Sequence, residues 1–242
     1  MGRLMAGTAP ASADGALRDA AAGVVELTAP VFGDLTGLGE TAARRLDLTR
    51  HPVFGEPRAW DALEPDVGAM LRNRALVTGA GLAVRPPTES GAGVPSMAWW
   101  VIRDGEVRVK QHVLNPRSDS FYDVPRARWF RVPYASGAPT LLSPYVDSWG
   151  TDDVTMTAAV PLTVGGETLG VVAADLDVRA FLDAVERLLV AAGATALLDE
   201  EDRVITAIHP QLETGSRLAA TEVGPVAARA GIAQFGWAVV RL

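Results

Sequence analysis

The sequence predicts an α/β protein of the α+β kind, in which a long N-terminal helix precedes two modules built on antiparallel sheets, the second of them small. Three observations predict it: a helical apolar period near the N-terminus, glycine-centred hairpin signals further on, and a strand pattern that starts again after a glycine-terminated helix. A chain of 242 residues suits one large or two small domains. We divide it into a helical region 1–50, a first module 51–192 and a second module 193–242.

The composition excludes several classes of protein. The chain has no cysteine, which removes disulfides, zinc-thiolate centres, iron–sulfur clusters and cysteine nucleophiles. The net charge is −7, from 22 basic and 29 acidic residues, and this disfavours nucleic acids and anionic membrane surfaces as partners. No apolar run approaches the ~18 residues that cross a bilayer. We therefore expect a small molecule or a protein as partner, and no membrane segment.

The long helix is predicted over 16–46, where apolar residues return at alternating steps of four and three. This seam consists of Leu17, Ala21, Val24, Val31, Leu35, Leu38 and Ala42, with Thr28 in its polar position. Pro30 predicts a kink. The seam has two interpretations, a helix packed on its own domain or a homodimer interface, and the sequence favours neither.

The first module is predicted from a second helix, ending near Asn73, and from strand patterns after it. An apolar segment, 75–84, precedes a hairpin of strands 97–102 and 107–114 that turns at Asp104-Gly105. The segment 86–95 between them is rich in Pro, Gly and Ser and is predicted as a loop.

A second hairpin is predicted from strands 154–164 and 168–176 around Gly165-Gly166. Its second strand is apolar on both faces, which predicts a central place in the sheet. Asp177 then has the position of an N-cap for a helix that Gly193 ends.

The second module is predicted from three short strands, 195–198, 203–208 and 237–242. The acidic run 199–202 between the first two is predicted as a solvated turn, because it lacks the ligand spacing of a calcium loop.

Catalytic motifs are missing. His51, His112 and His209 are far apart in sequence and do not form a metal-binding spacing, and no Gly-x-Ser-x-Gly nucleophile elbow occurs. Gly79-Ala80-Gly81 lacks the third glycine and the helix of a dinucleotide fingerprint, so it indicates a bulge or a close backbone approach. We expect no enzyme, no cofactor and no metal; a hydrolase would need His112 beside a serine and an acid.

A group of aromatic and charged residues between 121 and 176 indicates a binding site instead. Asp175 ends an apolar strand, where a carboxylate is costly to desolvate unless a cation or several donors meet it. Two carboxylates, a tyrosine hydroxyl and a tryptophan face suit an ammonium group, and an arginine suits a carboxylate. The candidates are Tyr122, Arg126, Arg128, Trp129, Phe130, Tyr145, Asp147 and Asp175. The alternative is structural, with Asp175 capping the next helix or paired with an internal arginine and Trp129 in the core.

The order Tyr-Asp…Arg…Trp-Phe, Pro-Tyr-x-Asp and Gly-Val-Val-x-x-Asp-Leu over 121–176 resembles the Cache domain, in particular the double Cache (dCache) ligand-binding domains of chemoreceptors and sensor kinases. The resemblance implies a long helix followed by two PAS-like α/β modules and a role in signal transduction. In its amino-acid-binding branch, Tyr122, Trp129, Tyr145 and Asp175 match directly, and Asp147 matches a second acid. Asp175 and Tyr145 would hold the amino group of the ligand.

Two departures affect the carboxylate half of that site. Phe130 replaces a tyrosine, and Ala127 stands where the branch has its arginine. In an extended segment the flanking Arg126 and Arg128 would point the other way. We therefore expect an ammonium-bearing ligand, such as an amino acid, an amine or a small zwitterion, with a small carboxylate as a further possibility.

The resulting hypothesis is a non-enzymatic sensory binding protein, with a possible homodimer through the long helix. The alternatives are a hydrolase that uses the same pocket and an interaction module whose pocket is filled by side chains. Family members are anchored by a transmembrane helix, which this sequence lacks, so we expect a cytoplasmic location, or an extracytoplasmic one if the chain is an excised sensor domain.

Overall fold

The computed structural model describes residues 13–48, 57–85, 96–146 and 154–242. The chain forms two compact units. We call Thr28–Phe181 the central unit, and Met1–Leu27 together with Leu182–Leu242 the terminal unit. The predicted class is confirmed, since a long helix is followed by two antiparallel sheets. The three-part division of the sequence stays a prediction. Within the described ranges, no helix is long and apolar enough to cross a membrane.

The N-terminal helix α1 spans Ala13–Arg45 and continues through Pro30 without a break. The whole predicted seam, including Thr28, is at most 6 % exposed within a single chain. This favours the interpretation in which the helix packs on its own chain. A homodimer through α1, which stays a prediction, would have to use the exposed side of the helix.

The central unit is built on a seven-stranded antiparallel sheet of order β3-β2-β1-β7-β6-β4, with β5 paired to β6. The strands are β1 Val77–Val84, β2 Ser96–Arg103, β3 Glu106–Val109, β4 Thr140–Leu141, β5 Tyr145–Val146, β6 Val154–Val164 and β7 Glu167–Leu176. Its helices are a 3-10 helix Pro57–Leu63, α2 Glu64–Asn73, a 3-10 turn Val124–Arg126 and α3 Arg128–Ser136. The central place predicted for β7 is confirmed, because it lies between β1 and β6.

Both predicted hairpins form at their glycine turns. Asp104 and Gly105 have φ of 53° and 78°, and Gly165 and Gly166 have 60° and 87°. A left-handed backbone at both central positions matches the twist of the flanking strands. The strand predicted over 107–114 was too long: β3 ends at Val109, and the carbonyl of Val113 accepts a hydrogen bond from the backbone N–H of Tyr122 instead of a sheet partner.

The assumption of an extended segment around Arg126 and Arg128 is wrong. The chain forms a 3-10 turn there and then α3, which Gly137 ends with φ of 67°. The buried residues of α3 are Trp129, Phe130 and Pro133. They lie on one side of the helix, and this side covers an apolar face of the sheet.

Helix α4 spans Val178–Ala192, and its predicted ends are confirmed. Oδ1 of Asp177 accepts the backbone N–H of Ala180 at 3.0 Å, and Gly193 has φ of 57°. Asp177 is therefore the N-cap, and Gly193 is the left-handed residue that ends the helix.

The terminal unit contains a four-stranded antiparallel sheet of order β10-β11-β8-β9. Its strands are β8 Ala196–Leu198, β9 Val204–Ala207, β10 Ala228–Ile232 and β11 Trp237–Arg241. Strand β10 was not predicted, because alanine and glycine give it little strand character. In the acidic run, Oδ1 of Asp199 accepts the backbone N–H groups of Glu201 and Arg203, both at 2.9 Å, so the predicted turn forms. Asp199 itself is buried at 6 % exposure and is not solvated as predicted, because its carboxylate is used by these two N–H groups.

Candidate ligand-binding site

The candidate site lies on one face of the central sheet. Side chains alternate along a strand, so Val171, Ala173 and Asp175 of β7 share this face. Val171 and Ala173 are fully buried in an apolar cluster, whereas Asp175 is only partly buried. The carboxylate therefore lies at the border of an apolar surface.

The carboxylate of Asp175 is held by a chain of two hydroxyl groups, those of Thr157 and Tyr145. Thr157 lies directly opposite it on β6, is fully buried, and donates its hydroxyl to Oδ1 of Asp175 at 2.9 Å. The hydroxyl of Tyr145 lies 2.8 Å from Oγ1 of Thr157. Because the single hydroxyl proton of Thr157 is used by Asp175, Tyr145 is the donor in this second bond. The carboxylate is thus fixed in a defined orientation.

Asp175 does not cap the following helix. The side chain that does so belongs to Asp177, two residues later. One structural alternative for Asp175 is therefore wrong.

Four rings cover the sheet face, and we call Trp99, Tyr122, Trp129 and Phe130 the aromatic cluster. Each is at most 6 % exposed. Nε1 of Trp129 donates to the hydroxyl of Tyr122 at 2.8 Å. The ring centroids of Trp129 lie 5.6 Å from Trp99 and 5.9 Å from Phe130, the latter edge-on. The expected proximity of Tyr122 and Trp129 is observed, and Trp129 is also a core residue.

Phe130 occupies the position at which the resembled branch has a tyrosine, and it stacks on Tyr134. Their centroids are 5.2 Å apart with 17° between the ring planes. The guanidinium of Arg85 lies 5.7 Å from the centroid of Tyr134. A tyrosine one helical turn later therefore lies beside the ring that lacks a hydroxyl.

The two predicted arginines have exposed side chains. Arg126 has an 87 % exposed side chain, 4.0 Å from the carboxylate of Asp123. Arg128 is exposed at the start of α3, where the buried side is formed by Trp129, Phe130 and Pro133. A role of either guanidinium in the site stays a prediction.

Some predictions fall on residues that the structure does not describe. Asp147, His51 and the loop 86–95 lie outside the described ranges. Nothing further is derived from them.

His112 is packed against an aromatic ring. Its imidazole centroid lies 5.0 Å from that of Tyr122. Burial, together with the nearby charge of Lys110, lowers the pKa of His112 to about 4, although a hydrogen bond with the backbone of Lys110 acts in the opposite direction. The imidazole is therefore neutral near pH 7. In the described part of the chain, no group of three or more His, Cys, Asp or Glu side chains could hold a metal ion.

Two residues of this face, Thr157 and Trp99, were missed by sequence reasoning, and Gly79 was noted only for its backbone. Gly79 pairs with Asp175 across β1 and β7, and Trp99 pairs with Gly81 across β2 and β1. A Cβ added to Gly79 would lie 2.7 Å from Nε1 of Trp99, so the indole fits only because residue 79 has no side chain. The predicted alternative of a close backbone approach is confirmed at Gly81, where an added Cβ would overlap the backbone carbonyl oxygen of Ala98.

Comparison with known proteins identifies relatives of this fold. Residues 63–183, half of the chain, match the model of the methyl-accepting chemotaxis protein-like, first PDC sensor domain. The ligand-binding domain of the Campylobacter jejuni chemoreceptor Tlp3, solved with L-norvaline, is 12 % identical, with 93 % of this chain and 86 % of that chain covered and a TM-score of 0.61.

Two further solved structures share the fold. The ligand-binding domain of the Pseudomonas aeruginosa PAO1 chemoreceptor PctB, in complex with L-Arg, is 17 % identical, covering 93 % of this chain and 90 % of that chain with a TM-score of 0.59. The extracellular domain of the putative histidine kinase soHK1S-Z6 is 16 % identical, covering 94 % and 91 % with a TM-score of 0.57.

These matches confirm the double Cache resemblance, and the solved structures they name are sensory or extracellular domains of chemoreceptors and of a putative histidine kinase. Because the family model covers half of the sequence, the chain belongs to the family of methyl-accepting chemotaxis protein-like, first PDC sensor domains.

Proposed function

We propose that the central unit senses a small molecule by binding its ammonium group at Asp175, without catalysing a reaction. The observation that carries this proposal is the bond from the buried Thr157 hydroxyl to Oδ1 of Asp175 on an otherwise apolar sheet face. A carboxylate oriented at the edge of an apolar surface is suited to pairing with a cation.

The neighbouring groups support an ammonium ligand. Tyr145 is connected to Asp175 through Thr157, and the indole of Trp129 covers the same sheet face. An indole ring attracts a cation, and the attraction grows when water is excluded. Tlp3 was solved with L-norvaline and PctB with L-Arg, which supports an amino acid as the ligand here.

Arg126 and Arg128 remain candidates for a ligand carboxylate only if their exposed side chains move inward. We therefore assign the ammonium group, and not the carboxylate, as the common feature of the ligands. Tyr122, Phe130 and, outside the described residues, Asp147 complete the proposed contact set.

A second candidate function is an interaction module whose pocket is filled by its own side chains. The burial of Trp129 and Phe130 to 4 % and 2 % exposure favours it. A hydrolase, which would need His112 as its base, has weaker support. The imidazole of His112 packs against the ring of Tyr122, and burial explains why it is neutral.

We further propose an extracytoplasmic location for this sensor. The cytoplasmic location expected from the sequence has no support from the relatives, one of which is described as an extracellular domain. We also propose that α1 passes the signal to an output partner, and a homodimer would then form on the exposed side of this helix.

A thermal-shift panel of amino acids, amines and short carboxylates tests the ligand class, since a compound that binds only the folded state raises the melting temperature. Asp175→Asn keeps an oxygen that can accept from Thr157 but removes the charge. We expect it to weaken binding of ammonium compounds at least about 100-fold.

Asp177→Asn is the matched control, because asparagine caps helices as well as aspartate and the residue is only two positions away. It should bind as the wild type does. Stabilisation by anions alone, or equal binding by Asp175→Asn and wild type, would contradict the ammonium assignment. A panel without any binder would favour the interaction module.

A further inference from the structure

The indole of Trp99 reaches into the row of residues that contains Asp175. Across the sheet this row consists of Val101 on β2, Gly79 on β1, Asp175 on β7 and Thr157 on β6. Trp99 belongs to the next row, opposite Gly81. Its Nε1 nevertheless lies 2.7 Å from the position of a Cβ on Gly79. Because Gly79 has no side chain, the N–H edge of Trp99 occupies the space that a Cβ would take there, next to the strand position of Asp175.

This N–H group has no acceptor within the part of the chain that the structure describes, although Trp99 is only 3 % exposed. The indole beside it is satisfied, because Nε1 of Trp129 donates to Tyr122. Nε1 of Trp100 is enclosed without a partner among the described residues, whereas Nε1 of Trp99 is not fully enclosed and can be reached from outside the protein. A ligand oxygen at this place would replace water as its acceptor.

We propose that Trp99 is a specificity-determining residue, which donates its indole N–H to an acceptor oxygen of the ligand beside the ammonium group held at Asp175. This inference rests on the proposed function. It assigns the recognition of the ligand oxygen to a neutral donor. A charged donor is not at hand in the matching position, because Ala127 stands there between two arginines with exposed side chains. A neutral donor fits a carboxylate, an amide or a hydroxyl oxygen.

Gly79 is a positioning residue in this arrangement. Its pairing with Asp175 sets the neighbouring backbone, and its lack of a Cβ admits the indole edge. Alanine at this position would push Nε1 of Trp99 away from the row. Gly79→Ala should therefore remove the contact between the indole N–H and the ligand although Trp99 is still present.

The test uses pairs of ligands that share an ammonium group and differ in a carboxylate: L-norvaline with butylamine, and L-arginine with agmatine. Their affinities for the purified protein are measured by titration calorimetry. Trp99→Phe keeps an aromatic ring and removes the donor N–H together with part of the indole volume. We expect it to weaken binding of the amino acid about 10- to 100-fold and to leave the amine within about twofold.

Trp100→Phe is the matched control. Trp100 is the next residue of the same strand, so its side chain points to the opposite face, and its Nε1 is buried without an acceptor in the described part of the chain. The substitution removes the same atoms outside the site. Trp100→Phe should bind both ligands of a pair as the wild type does, and circular dichroism confirms that each variant is folded.

The outcomes separate this inference from the proposed function. If wild type binds the amino acid, Asp175→Asn does not, and Trp99→Phe binds like wild type, the role of Trp99 is refuted while the ammonium site stands. Equal losses for amino acid and amine in Trp99→Phe would also refute it, since they indicate a packing defect. If no ligand of either pair binds to wild type, both proposals fail together.

Discussion

Thr157 and Asp175 lie directly opposite each other on β6 and β7, and the threonine hydroxyl donates to Oδ1 of the aspartate at 2.9 Å. The bond uses the only hydroxyl proton of a fully buried side chain. Tyr145 must therefore donate to Thr157, so the orientation of three side chains depends on one hydroxyl.

Thr157→Val removes this hydroxyl and keeps the shape of the side chain. The Asp175 carboxylate and the Tyr145 hydroxyl then each lose a partner, and we expect the free energy of unfolding to fall by about 2 kcal/mol. Ligand affinity should fall about tenfold. Denaturant titration and calorimetry measure the two effects. Thr157→Ser keeps the hydroxyl and should retain most of the affinity; equal binding by the valine variant would show that the bond does not orient Asp175.

The partly buried imidazole of His112 should make the folded protein less stable at acidic pH. Burial lowers its pKa in the folded state to about 4, from 6.5. Between these values the unfolded chain binds a proton that the folded chain does not, so stability is complete above pH 6.5 and falls as the pH decreases to about 4. The loss should reach about 2 to 3 kcal/mol.

His112→Phe keeps a ring against Tyr122 and removes the titration. Urea unfolding at pH 7, 5.5 and 4 compares it with the wild type, because all other groups contribute to both proteins. The variant should lose less stability on acidification, and parallel curves would contradict the assignment.

The N-cap of α4 predicts a difference between two variants of one residue. Asp177→Ala leaves the backbone N–H of Ala180 without its acceptor and should lower the unfolding free energy by about 1 kcal/mol. Asp177→Asn should change the unfolding free energy by only about 0.3 kcal/mol, because asparagine and aspartate are similar N-caps. Thermal unfolding distinguishes them, and equal stability of the two variants would show that the cap contributes nothing.

Replacing glycine by alanine should have opposite effects on stability at Gly81 and at Gly37. A Cβ on Gly81 would overlap the carbonyl oxygen of Ala98, which is backbone and cannot move aside, so Gly81→Ala should destabilise the protein by more than about 3 kcal/mol. Gly37 lies in α1 with nothing near its Cβ position, so Gly37→Ala should stabilise it by about 0.5 to 1 kcal/mol. Melting temperatures test both signs.

Local patterns predicted the elements well. The turns at Asp104-Gly105 and Gly165-Gly166, the cap at Asp177 and the end at Gly193 each follow from the backbone preferences of one or two residues. The pairing of β1 with β7 does not follow from such preferences, because it joins parts of the chain that are distant in sequence.

The partner of Asp175 shows why the site was only partly predictable. Counting back from the turn at Gly165-Gly166 places Met156 opposite Asp175, but a bulge between Leu162 and Thr163 shifts the register by one residue and brings Thr157 there. The same limitation applies to Trp99, whose place at the site depends on Gly79 two strands away from Thr157. The extended segment assumed at Arg126 and Arg128 was wrong for a related reason, since α3 forms where one side of it can cover the sheet.

The central position of β1 also sets the order in which the protein can fold. Thr78 and Asp175, which share a hydrogen bond, are 97 positions apart. Contacts between such distant residues slow folding, because a large loop must close before they form. During synthesis, the helix α1 and the hairpin of β2 and β3 can form early, but the sheet remains incomplete until β7 has left the ribosome. The carboxylate proposed to bind the ligand is thus on the strand whose arrival completes the sheet.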